Sequence, residues 1–100
     1  MMKKILVMLT KSSYGNDENL IRLGRCKKDD VVIFAQDAVY SFSNSSLKIS
    51  GLIEYKQRIG VRIFASLVDC QARGINPPSN IKMVGYPEQV DLIFECELTF

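Results

Sequence analysis

The chain has 100 residues, of which 47% are hydrophobic, and its 13 basic and 11 acidic residues give a formal net charge of +2 at pH 7. This length predicts one domain over residues 1–100, and the mixing of charges without a basic block argues against direct nucleic-acid binding. No apolar run approaches the roughly 20 residues that span a bilayer. We therefore expect a cytoplasmic protein that does not enter a membrane.

The sequence contains no histidine and three cysteines. Histidine is the commonest general base and metal ligand, so its absence argues against hydrolase triads and catalytic metal centres. An odd number of widely spaced cysteines matches neither a disulfide framework nor a zinc site. We expect reduced thiols, no metal and no cofactor.

The first half of the chain predicts two strands and two helices. An apolar run at 3–9 predicts the first strand, and a helix is expected after the polar loop, ending near Gly24. A second buried strand is predicted at 31–35, and Asp37 could cap a short helix after it. The side chains expected to face the sheet from these helices are Leu20, Ile21, Leu23, Val39, Tyr40 and Phe42.

The second half continues the alternation. A helix is predicted at 47–59, a strand at 61–65, a helix ending at Gly74, a strand at 81–84 and a final helix beginning at Pro87. Such alternation predicts an α/β fold, a three-layer α/β/α sandwich around a mostly parallel sheet. The expected inward-facing residues are Leu52, Tyr55 and Ile59 in the first of these helices and Val90, Ile93, Phe94 and Leu98 in the last.

Cys70 is the main candidate for chemistry. It follows Ser66 and Asp69, which have the spacing of a capping box at a helix start, directly after an apolar strand. Open α/β sheets bind ligands beyond the carboxyl ends of their strands, and a thiol near a helix start is favoured as thiolate. Against catalysis, Asp69 is an adjacent negative charge, and a buried cysteine often packs as a small hydrophobe.

The other two cysteines are weaker candidates. Cys26 lies among basic residues, which would lower its pKa if the thiol were exposed. Cys96 stands between two glutamates, which should raise its pKa.

Polar residues after the second and third predicted strands form a further candidate site. Gln36, Asp37 and Tyr40 can pin a loop, accept a ligand or form the rim of an interface. Arg73 can pair with Asp69 across one helical turn or face a partner. A separate loop at 10–15 resembles the phosphate cradle of flavodoxin-like proteins, which leaves a small phosphate- or flavin-binding module as an alternative function.

Three short motifs carry a family resemblance: QDAVY at 36–40, DCQARGI at 69–75, and Tyr86 followed by VDL at 90–92. With these motifs in this order, and with an opening strand and lysine-serine turn at 5–13, the chain resembles the DsrE/DsrF/DsrH family. Within that family it is similar to the DsrH or TusB type of subunit.

The resemblance implies an α/β/α sandwich in an oligomer, formed with DsrE-like and DsrF-like sister subunits or by self-association. Such complexes relay persulfide sulfur toward 2-thiouridine in tRNA or within dissimilatory sulfur oxidation. The carrier cysteine of a sister subunit lies just after the strand matching 61–65, where this chain has Ser66. Some DsrH-like members instead carry a cysteine in the first helix, where this chain has Leu20 and Ile21. The leading hypothesis is therefore a scaffold subunit, and the alternative is a direct carrier using Cys70.

Overall fold

The structure, a computed structural model, describes residues 4–12, 18–43 and 47–100. A 3₁₀ helix, Gln36–Phe42, follows the second strand. The strands are β1 (Ile5–Leu9), β2 (Val31–Phe34), β3 (Arg62–Ser66), β4 (Lys82–Val84) and β5 (Leu98–Thr99), and the α-helices are α1 (Glu18–Gly24), α2 (Leu47–Arg58), α3 (Leu67–Arg73) and α4 (Tyr86–Glu95).

The strands form one sheet in the order β4-β3-β2-β1-β5, and each neighbouring pair is parallel. All four residues of the central strand β2 are buried, as its continuous apolar run predicted. Because the strands run in one direction, their carboxyl ends meet at a single edge of the sheet, the carboxyl edge. The predicted α/β fold with a mostly parallel sheet is confirmed.

The two faces of the sheet are covered unequally. Successive side chains of a strand point to opposite faces. Val32 and Phe34 pack in a cluster with residues of α1, α2, α3 and the 3₁₀ helix, which defines the first face. Val31 and Ile33 pack with Leu92 of α4, which defines the second face. The sandwich thus has three layers, with α4 as the only helix in the second-face cluster among the described residues.

The buried face of helix α2 overlaps the expected one only at Leu52, which is partly buried against the first-face cluster. Ile49, Ile53 and Lys56 are its buried side chains. The cationic Lys56 concealed this face in the sequence, and its ammonium donates to the carbonyl oxygens of Gly24 and Cys26 at 2.9 and 2.8 Å. Among the residues before β3 that were expected to face inward, those exposed are Ile21, Tyr40, Tyr55 and Ile59.

The end of the chain also differs from expectation. The final helix stops at Glu95, and Leu98 lies in β5, paired with Ile5 of β1. Gln89 and Leu92 face the sheet from α4. A polar residue is tolerated there because the Gln89 amide donates to the Val84 carbonyl at 3.1 Å. The residues predicted to face inward that are exposed instead are Val90, Ile93, Phe94 and Leu98.

The predicted side-chain caps are absent, whereas the glycine turn is present. Ser66 occupies the N-cap of α3, but its side chain makes no capping hydrogen bond, so the capping box with Asp69 was wrong. Ala35, not Asp37, occupies the N-cap of the 3₁₀ helix. Gly74 ends α3 in the left-handed conformation, with φ of 63°. No helix within the described ranges has the length and hydrophobicity needed to span a membrane.

Candidate functional site

Arg73, in the last turn of α3, gathers three other residues at the carboxyl edge. Its Nε donates to Oδ1 of Asp37 at 3.2 Å, and its Nη1 donates to Oδ1 of Asp69 at 3.4 Å. The guanidinium also lies over the ring of Tyr40, 6.0 Å from the ring centre. We call these four residues the Arg73 cluster. The structure therefore brings together four of the residues that the sequence singled out.

Asp37 is the most exposed charged side chain of the Arg73 cluster. The side chain of Asp37 is 61% exposed, whereas Arg73 and Asp69 are mostly covered. An exposed ion pair contributes little stability, typically about 0–1 kcal/mol. Two carboxylates against one guanidinium leave one formal negative charge, and the two ion pairs fix the plane of the guanidinium. The cluster can therefore offer a partner a preorganised contact surface that has a net negative charge and is flanked by the Tyr40 ring.

Gln36 directs the chain from β2 into this cluster. It is an exposed, non-glycine residue with φ of 49°, in the left-handed region. Left-handed backbone costs roughly 1–2 kcal/mol for residues other than glycine. Its conformation turns the chain at the end of the strand and brings the adjacent Asp37 within reach of Arg73, across 36 positions of sequence.

Ser66 lies apart from the cluster, inside the protein. It is fully buried, and its Oγ accepts a hydrogen bond from Nε2 of Gln89 at 3.2 Å. The side chain therefore faces α4 on the second face of the sheet, whereas α3 packs on the first face. The sequence analysis correctly placed Ser66 at the carboxyl edge, but the capping role that it predicted for the hydroxyl was wrong.

Cys70 is also an interior residue, with only 1% of its surface exposed, in the core of the first face. Burial raises the pKa of its thiol, the Asp69 carboxylate raises that pKa further, and Arg73 partly opposes the increase. The reactive form of cysteine is the thiolate, which must also be accessible. This geometry leaves Cys70 protonated and shielded at neutral pH.

Cys26 and Cys96 have similarly unfavourable surroundings. Burial, followed by the nearby Asp30 carboxylate, raises the pKa of Cys26 to about 11. The expected lowering of this pKa by adjacent basic residues required an exposed thiol, and Cys26 is buried. Burial and then Glu95 raise the pKa of Cys96, in the predicted direction.

Several buried polar contacts were missed from the sequence. Asp30 accepts hydrogen bonds from the amides of Ile5 and Lys27 at 3.2 and 2.8 Å, which ties β1 to the turn before β2. In the sequence, only the acidic pair Asp29 and Asp30 before the second strand indicated that turn.

A groove of about 390 Å³ lies beside β1, and its lining residues are Ile5, Val7, Arg22, Arg25, Cys26, Asp30 and Phe100.

Two further expectations concern bound groups. Within the described ranges, no three cysteine or acidic residues are grouped so that they could hold a metal ion. Residues 13–15 of the proposed phosphate or flavin loop at 10–15 lie outside the described residues, so that interpretation remains a prediction.

Comparison with known proteins relates both the sequence and the fold to other chains. A family model described as "DsrH like protein" matches residues 11–98. The fold is similar to the crystal structure of the ychN protein from E. coli, with a TM-score of 0.80 and 16% identity, over 99% of this chain and 98% of that one. It is also similar to the solution structure of Tm0979 from Thermotoga maritima, with a TM-score of 0.64 and 21% identity, over 91% and 92% of the two chains. No curated protein matches significantly in sequence.

Proposed function

This chain belongs to the family of DsrH-like proteins, a family related to sulfur relay, and we propose that it is a DsrH/TusB-type scaffold subunit of a persulfide relay complex. In this role it binds and orients DsrE-like and DsrF-like sister subunits, one of which carries the sulfur. The complex works in the cytoplasm and delivers sulfur either to the wobble uridine of tRNA or to dissimilatory sulfur oxidation.

The burial of Cys70 is the observation that carries this proposal. A sulfur carrier must attack a donor persulfide and then present its own persulfide to an acceptor, and both steps need an accessible sulfur. Cys70 is 1% exposed and its pKa is raised by burial. Sulfur transfer through Cys70 would require part of the first-face core to open.

The position of Ser66 supports the same conclusion. In the sister subunit that carries the sulfur, the resemblance places the carrier cysteine just after the strand that matches residues 61–65, which is the position of Ser66 in this chain. Here a hydroxyl occupies it, fully buried and bonded to Gln89. A hydroxyl cannot form a persulfide, and this one is closed off by α4.

The Arg73 cluster is the surface that we propose for contact with a sister subunit. It lies at the carboxyl edge, the same edge at which a related subunit would present its carrier loop. Asp37 and Tyr40 are exposed there, and arginine and tyrosine are enriched in protein interfaces. The formal negative charge of the cluster suits a basic group on the partner.

Co-expression with the DsrE-like and DsrF-like chains of the same organism tests the scaffold role. We expect a stable complex that is weakened several-fold by Arg73→Ala, because this substitution releases both Asp37 and Tyr40. Arg58→Ala is the matched control, since Arg58 is an exposed helix-terminal arginine of α2. If this chain binds neither sister subunit, the proposal is refuted.

Mass spectrometry can distinguish a scaffold from a carrier after this chain and its sister subunits are incubated with a cysteine desulfurase and its substrate. We expect the mass of one additional sulfur atom on a sister subunit and none on this chain. An added sulfur that disappears in Cys70→Ser would instead establish the alternative of direct carriage by Cys70.

A further inference from the structure

The groove beside β1 lies at the opposite edge of the sheet from the Arg73 cluster. Ile5 begins β1 and Asp30 directly precedes β2, so these two lining residues lie at the amino ends of their strands. Arg22 lies in the last turn of α1, and Arg25 directly follows that helix. The chain thus has a concave site that is separate from the surface proposed for a sister subunit.

The part of the groove formed by the sheet is apolar. Ile5 and Val7 of β1 both pack with the first-face cluster, so they point to that face. Phe100 continues the line of β5, where its amide donates to the Leu6 carbonyl and its carbonyl accepts from the Met8 amide, each at 2.8 Å. This parallel pairing sets Phe100 beside Val7 and on the same face of the sheet. Because 63% of the Phe100 surface is exposed, its ring can cover a bound molecule.

Two guanidinium groups line the same groove. Nη2 of Arg22 donates to the Phe100 carbonyl oxygen at 3.1 Å, which positions this guanidinium between α1 and the end of β5. Arg25 is exposed, and the ion pairs among the described residues leave it without a carboxylate partner. A guanidinium has five N–H donors, so both arginines can still bind an anion.

The remaining polar groups of the lining set its net charge. Asp30 is 5% exposed, and its two carboxylate oxygens accept the amides of Ile5 and Lys27. Burial raises the pKa of the Cys26 thiol to about 11, so this side chain is neutral at pH 7. Two arginines and one carboxylate therefore give the lining a net formal charge of +1.

We propose that this groove binds a small amphipathic carboxylate, with its hydrocarbon body on Ile5, Val7 and Phe100 and its carboxylate between Arg22 and Arg25. The volume of about 390 Å³ falls within the roughly 300–1,000 Å³ of small-molecule sites. This inference goes beyond the scaffold role, because it assigns a ligand to the edge of the sheet that the sister-subunit contact does not use.

The composition of the lining selects this class of ligand. The planar fork of arginine matches the two oxygens of a carboxylate. A net charge of +1 suits a monoanion better than a phosphate monoester, which carries about −1.5 to −2 at pH 7. A neutral hydrocarbon would make no use of the guanidinium groups, and an inorganic anion would make no use of the apolar floor. A molecule with both parts contacts the whole lining.

NMR titration of the ¹⁵N-labelled chain with straight-chain carboxylates tests the proposal. Hexanoate, octanoate and decanoate, each below its micelle-forming concentration, should shift the amide signals of Val7, Arg25 and Phe100 in a saturable manner. Affinity should rise with chain length, by up to about fourfold for each methylene that is buried. Acetate and decanol, which each lack one part of the ligand, should bind far more weakly. Equal binding of decanol and decanoate, or of acetate and decanoate, would overturn the proposal.

Two pairs of variants locate the site. Arg25→Ala should weaken decanoate binding by about tenfold, because a charge-assisted hydrogen bond is lost. Arg58→Ala is its matched control, since Arg58 is exposed and does not line the groove. Phe100→Ala should also weaken binding, whereas Phe94→Ala, which removes an exposed ring of α4, should not. Wild-type affinity in Arg25→Ala, or decanoate-induced shifts centred on α4, would overturn the assignment.

Discussion

Nε2 of Gln89 donates a hydrogen bond to Oγ of Ser66 at 3.2 Å, inside the contact between β3 and α4. The same amide nitrogen donates to the carbonyl oxygen of Val84 at 3.1 Å. One polar side chain thus satisfies two buried acceptors on neighbouring strands, and it holds α4 against the end of the sheet where the family resemblance places the carrier position.

Gln89→Leu should therefore destabilise the fold. The substitution keeps the approximate size of the side chain but leaves the Ser66 hydroxyl and the Val84 carbonyl without this donor, at a cost of about 1–3 kcal/mol. Urea denaturation should show a lower midpoint with an unchanged slope. Gln71→Leu, at an exposed position of α3, is the control and should change the midpoint little.

Ser66→Cys should not create a sulfur carrier. The new thiol would occupy a fully buried site beneath α4, so we expect it to remain unreactive toward a thiol reagent in the native protein. It should react at the rate of a free thiol after denaturation. Rapid modification in the native state would contradict the closed geometry of this position.

Lys56→Met should weaken the packing of α2 against the end of α1. Its ammonium group donates to the carbonyls of Gly24 and Cys26, and methionine keeps most of the apolar stem while leaving both acceptors unpaired. We expect a loss of about 1–3 kcal/mol in the free energy of unfolding. Arg58→Met, two positions away and exposed, should cost much less, and equal losses would argue against the hydrogen bonds as the cause.

Cys26 should make stability fall as the pH rises above 9. Burial raises the pKa of its thiol in the folded state from 9.0 to about 11. Between these values the unfolded chain releases the proton and the folded chain retains it, so the stabilising contribution is complete below pH 9 and lost as the pH rises through 11. Cys26→Ala should show a shallower decline of unfolding free energy over this interval, measured by urea denaturation. Parallel declines in both proteins would refute the shift.

Substitutions of Gln36 by glycine and by valine should have different effects on stability, because the backbone at this position is left-handed. Because its φ is 49°, Gln36→Gly should leave stability unchanged or raise it by about 1 kcal/mol, whereas Gln36→Val should lower it by at least about 1 kcal/mol. Gln71→Gly, inside α3, should be destabilising by about 1 kcal/mol. A loss of stability in Gln36→Gly comparable to that control would show that the left-handed conformation carries no strain.

Local patterns predicted the features that depend on neighbours in sequence. The continuous apolar run of β2 indicated a strand buried on both faces, and Gly74 marked the end of α3. The Asp69 and Arg73 pair, one turn apart, could also be anticipated from helical spacing. Each of these signals needs only a few consecutive residues, because main-chain geometry fixes their relative positions.

Patterns failed where a polar side chain faced the interior. Lys56 and Gln89 concealed the inner sides of α2 and α4, because a periodicity of apolar residues cannot recognise a buried polar group that finds its partner elsewhere in the chain. Val90, Ile93 and Phe94 of α4 produced the opposite error, since these apolar residues were predicted to face the core and are exposed. Leu98 was placed on a helix because its pairing with Ile5 lies at the other end of the sequence.

The sequence by itself determined the α/β class, the parallel sheet and the set of residues at its carboxyl edge, since alternating apolar runs and helix-ending glycines are local features. Only the tertiary structure decided what those residues do. It joined Asp37 to Arg73, buried Ser66 beneath Gln89 and enclosed Cys70 in the core. These outcomes depend on which helices lie on which face of the sheet. That arrangement follows from the packing of segments distant in sequence, which no local pattern contains.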